Sequence, residues 1–84
     1  MTDRSELEQV VCDAVARVMH VDPAGLTMDT RWTEDLRVRS MHAFMITAIL
    51  EDAANVKIPM SRVLQNQTLG DAVDMLEELP SEQP

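Results

Sequence analysis

Ser40 is the residue of this chain best placed for covalent chemistry. Arg37 and Arg39 precede it, Met41 and His42 follow it, and nothing from Met41 to Ala54 breaks a helix. The hydroxyl therefore stands where a helix begins. A serine there is first of all a good cap residue. It is also a hydroxyl beside free backbone N–H groups and the positive end of a helix dipole, and both stabilise an anion such as a phosphate. Catalysis fits this constellation poorly. Ser40 and His42 are two apart and do not face each other on a helix, and no acid beside His42 would orient it as a hydrolytic triad requires. Cys12 and His20 are separated by roughly 12 Å of helical rise, too far to share a metal easily. Cys12 is the single cysteine, reads as a small partly buried filler, and leaves no intramolecular disulfide, which suits a reducing, cytoplasmic setting. His20 reads as a favourable cation near a helix end when protonated.

The elements that must position Ser40 are helical. Leu7, Val10, Val11, Ala14, Val15 and Val18 form one stripe of a helix from about Arg4 to Met19, with Asp3 or Ser5 as its cap. Asp22-Pro23 predicts a short capped turn. No sustained period runs from Gly25 to Arg39, so a long loop is expected, pinned by Leu26, Met28, Trp32 and Leu36. A second helix should run from Ser40 to about Asn55. Pro59 disfavours helix at Ile58, and a short third helix is placed from Ser61 to about Gln65. Thr68 with Asp71 resembles a capping box opening a last helix with a stripe of Leu69, Ala72, Val73, Leu76 and Leu79. Pro80 is expected to stop it and residues 80–84 to fray. No alternating run is long enough for a strand. The reading is an all-α four-helix bundle, one domain over residues 1–84, structured from about 4 to 79, with a long first loop and a short third helix.

The second helix is apolar nearly all round, from Met41, Ala43, Phe44, Met45 and Ile46 to Ile49, Leu50 and Ala53. A chain of 84 residues is too small to bury one helix completely, so part of that surface, Met41 and Met45 foremost, is expected to meet a partner. The net charge is −8, which repels nucleic-acid phosphates and anionic headgroups. The longest apolar stretch, 43–50, is too short to span a bilayer. Aromatic residues are nearly absent and 45% of residues are apolar, which argues against base stacking and against disorder.

From Trp32 the chain reads Trp-Thr-Glu-Asp-Leu-Arg-Val-Arg-Ser-Met, then an apolar helix, Glu51-Asp52 and Lys57-Ile58-Pro59. This resembles the acyl carrier proteins of fatty-acid and polyketide biosynthesis. In that family an aromatic residue is followed by Glu-Asp-Leu-Gly, Asp-Ser-Leu, a helix and Ile-Pro. The resemblance implies a carrier rather than an enzyme. Ser40 would bear a covalent phosphopantetheine, placed there by a phosphopantetheinyl transferase. The arm would hold acyl groups as thioesters for acyl-loading, condensing or acyl-transfer enzymes. It also implies a deformable core in which Met19, Met28, Met41, Met45, Met60 and Met75 make room for cargo. A monomer is expected. The chain departs from the family at Arg37 (for Gly), Arg39 (for Asp) and Met41 (for Leu). Arg37 and Arg39, with Arg31 and His42, are expected to form a basic collar around Ser40 that meets an acidic partner face or braces the arm's phosphate. Arg37, Arg39, Met41, His42 and Met45 are thus the expected partner-recognition residues. The alternative is a carrier-like domain without an arm that serves as an interaction module.

Overall fold

The computed structural model describes residues 3–82, and among them the elements are helical with no strand. They are α1 (Arg4–Met19), a short 3-10 turn (Pro23–Gly25), α2 (Ser40–Ala54), α3 (Met60–Val63) and α4 (Leu69–Glu82). The expected all-α architecture with a long first loop and a short third helix is what forms.

Burial of periodic apolar stripes explains the assembly. Leu7, Val11, Ala14, Val15 and Val18 bury the inner face of α1, and Leu69, Ala72, Val73, Met75, Leu76 and Leu79 bury that of α4. Between them α2 contributes Ile46, Thr47 and Leu50, and α1 packs against both α2 and α4. Arg4 clamps the outer rim of α1 to α4 by pairing with Asp74 and Glu77.

The first loop is fastened to the start of α4 rather than left free. The Trp32 N–H donates to the Gln67 carbonyl at 3.1 Å, Leu69 N–H to Thr30 at 3.0 Å and Gly70 N–H to Met28 at 2.9 Å. The Trp32 indole Nε1–H donates to the Thr68 carbonyl at 2.9 Å. Gly70 permits this approach, because a Cβ there would sit 3.0 Å from the Met28 carbonyl oxygen. Thr68 and Asp71 form the anticipated capping box, with the Asp71 N–H donating to Thr68 Oγ1 and the Thr68 N–H to Asp71 Oδ2, both at 3.1 Å. At the other end of α2 the Ile58 N–H donates to Glu51 Oε2 at 2.8 Å, holding the chain as it turns toward Pro59.

Two local expectations are corrected. The last helix does not stop at Pro80 but continues to Glu82. A proline so near the end costs one ladder bond. Leu79, buried just before it, anchors the turn, and the Ser81 hydroxyl donates to the Glu78 carbonyl at 2.8 Å. Gln83 and Pro84 lie outside the described residues. The cap of α2 is Arg39, not Ser40, which is the first residue inside the helix.

Arg37 has φ 57°, a left-handed conformation that costs an L-residue roughly 1–2 kcal/mol and that glycine adopts freely. Arg37→Gly should therefore raise stability by about 1 kcal/mol and the melting temperature by roughly 4–8 °C, as read by thermal unfolding. The arginine is not there for the fold.

Candidate functional site

The N-terminus of α2 is built so that its amides stay open. Arg39, the cap, is extended, and its side chain has no acceptor atom to offer the helix. Instead its own N–H donates to His42 Nδ1 at 3.1 Å, and its carbonyl accepts from Ala43 at 2.9 Å. Among the described residues the backbone N–H groups of Ser40, Met41 and His42 find no acceptor. These donors and the positive end of the dipole make a ready anion site. Ser40 is exposed beside them, and its hydroxyl makes no hydrogen bond within the described protein.

The residues singled out from sequence stand in four different environments. Arg37 and Arg39 are exposed and form no ion pair among the described residues. Arg31 is not free in the same way, because its guanidinium pairs with Glu34 Oε2 at 2.7 Å. His42 is half-buried and engaged at the cap, where its Nδ1 accepts from the Arg39 N–H. Met41 and Met45 are 72% and 51% exposed.

Sequence reasoning did not single out Phe44, which is 60% exposed between those methionines. With exposed Ala48 these residues follow the i, i+3, i+4, i+7 spacing of one helical stripe. Nor did it find Leu64, 77% exposed just beyond α3, or the cleft beside Ser40. That cleft has a volume of about 260 Å³ and opens between the first loop, α2 and the segment after α3. Trp32, Val38 and Ser40 stand at one part of its wall, and Ala43, Thr47 and Met75 at another. Six of the methionines named above divide between two roles. Met75 is buried while Met19, Met28 and Met60 are partly so, whereas Met41 and Met45 face outward.

The single cysteine and the metal-ligating side chains offer no rival to this site among the described residues. Burial, and then the nearby carboxylates of Asp13 and Glu8, push the Cys12 thiol up from its ordinary pKa, which disfavours the reactive thiolate. Among the described residues no group of three or more His, Cys, Asp or Glu side chains could hold a metal ion. None of the helices described is long and apolar enough to cross a membrane.

An all-helical domain with an exposed serine hydroxyl on an open helix terminus, an apolar stripe and an adjoining cleft has the form of a carrier. The family described as "Phosphopantetheine attachment site" matches residues 9–76. Relatives named "Acyl carrier protein" match over most of the chain. That of Rickettsia typhi is 27% identical over 81 residues, 96% of this chain and 94% of that protein. That of Porphyromonas gingivalis is 28% identical over 74 residues, 88% and 95% of the two chains. That of Tropheryma whipplei is 27% identical over 70 residues, 79% and 85%. The chain belongs to the phosphopantetheine-attachment family of acyl carrier proteins. It is a carrier and not a catalyst, and its covalent cofactor is phosphopantetheine. The open amides and unpartnered hydroxyl at the start of α2 fit the phosphodiester of that group.

Proposed function

We propose that Ser40 is the attachment residue and that the chain, acting as a single monomeric cytoplasmic domain, is the substrate of a phosphopantetheinyl transferase. The observation that carries this reading is the coincidence of an exposed, unpartnered hydroxyl with three amides lacking acceptors at one helix terminus. Those N–H groups would hold the phosphodiester oxygens, and the Ser40 Oγ would supply the link to the protein. When bound, the group provides a thiol on which acyl intermediates of fatty-acid, polyketide or related biosynthesis are carried as thioesters. His42 keeps the terminus in shape through its bond to the Arg39 N–H. Val38, whose N–H donates to the Trp32 carbonyl at 2.9 Å, ties the approach to Ser40 into the pinned loop.

Delivery needs a surface, and the stripe of Met41, Phe44 and Met45 provides it. Methionine adapts its shape and the aromatic ring offers area at low entropic cost, a combination suited to several acyl-loading, condensing or transferring partners in turn. Arg37 and Arg39 flank the stripe at the Ser40 end with uncommitted positive charge, so the fitting partner face is apolar with carboxylates at its rim.

Incubation with coenzyme A, magnesium and a broad-specificity transferase tests attachment. Wild-type protein should gain the mass of one phosphopantetheine, and Ser40→Ala should gain none. An unmodified wild-type chain would favour the interaction-module reading instead.

A further inference from the structure

Thr47 is the one buried polar residue among the described residues, 8% exposed on a face otherwise made of Ala43, Ile46 and Leu50. Its hydroxyl has no hydrogen-bond partner among them, yet no buried side-chain polar atom is sealed off unsatisfied. The oxygen is therefore reached from the cleft that Thr47 lines. Valine, of nearly the same shape, would fill this place without a hydroxyl, so packing alone does not call for threonine here. Asn66 stands in the same cleft. Its amide Nδ2 donates to Met75 Sδ at 3.5 Å, which leaves its carbonyl oxygen available. Seven residues separate Ser40 from Thr47, which places them on one helical face about 10 Å apart along the axis. The cleft, about 260 Å³, is less than twice a cavity of ~150 Å³ that admits benzene. It suits a short chain.

Resting on the attachment reading above, we propose that this cleft selects short acyl groups bearing an oxygen on their chain, such as 3-hydroxyacyl thioesters, over saturated ones of equal length. The Thr47 hydroxyl is the discriminating group. A site that hydrogen-bonds an oxygen substituent disfavours the analogue lacking it, because its own polar atom is then left unpaired.

The test loads the full chain with 3-hydroxybutyryl or butyryl phosphopantetheine from the corresponding coenzyme A thioesters, using a broad-specificity transferase. Cleavage of each thioester by hydroxylamine is followed by intact mass, and each rate is normalised to the same acyl group on free pantetheine. The 3-hydroxybutyryl form should be protected about fivefold more than the butyryl form, the factor given by one net hydrogen bond. Thr47→Val should abolish that preference while folding at least as stably as wild type, and Thr47→Ser should retain it. Equal protection of the two acyl groups on wild type overturns the inference, as does an unchanged preference in Thr47→Val. An equal loss of protection for both groups in Thr47→Val also overturns it, assigning Thr47 to the arm rather than the cargo. Failure to load either group overturns the Ser40 reading itself, and the inference with it.

Discussion

Trp32→Ala should be among the most damaging single substitutions in the chain, lowering stability by about 3 kcal/mol, the lower part of the range for tryptophan truncation because this residue is half-buried. At this chain length that corresponds to a fall in melting temperature of roughly 12–24 °C. Two effects add. The ring packs against the core with Leu36 and Val38, and its Nε1–H satisfies the Thr68 carbonyl at the start of α4. Trp32→Phe separates them, keeping most of the packing and losing the indole bond, for about 1 kcal/mol. Thermal unfolding by circular dichroism measures both. A loss below 1 kcal/mol in Trp32→Ala would mean that the loop leading to Ser40 is not held by this residue.

The second large effect is electrostatic. Reversing both charges in Arg37→Glu/Arg39→Glu should slow association with the modifying transferase and with acyl-handling partners by roughly 10- to 100-fold at low salt. The difference should shrink as salt screens it, since both side chains are exposed. Stopped-flow association rates at two ionic strengths give the answer. A basic partner face would produce the opposite, faster association for the doubly reversed variant. Arg37→Gly keeps the two contributions of that residue apart, because relief of its left-handed backbone is common to any test in glycine and independent of salt.

The parts of the fold governed by local rules were legible in the sequence. The α1 stripe of Leu7, Val11, Ala14, Val15 and Val18, the Asp22-Pro23 turn, in which Asp22 Oδ1 accepts from the Ala24 N–H, and the Thr68–Asp71 box each announce themselves by spacing and residue type. Ser40 was legible as the first residue of a helix, and α2 does begin there, although Arg39 rather than the serine took the cap. What could not be read depended on tertiary contacts. An all-apolar α2 has no period to tell its inward face from its outward one, and α1 and α4 decide that Ile46 and Leu50 go in while Phe44 stays out. Thr47 was visible as the one polar residue in the run 43–50, but its burial was not. The αL backbone at Arg37 leaves no mark on a sequence in which glycine is absent from that position. Pro80 carried the standard signal for a helix stop, and burial of Leu79 with a hydroxyl bond from Ser81 overrode it. Arg31 looked like a member of the collar until Glu34, three residues on, was found to pair with it.

One measurement bears on attachment without any variant. Protein isolated from its own cells is digested, and the peptide containing Arg39, Ser40 and Met41 is sequenced by tandem mass spectrometry. The account predicts phosphopantetheine on Ser40, with or without an acyl group on its thiol. A bare Ser40 in all of the protein, or the same group on any other hydroxyl, would contradict it.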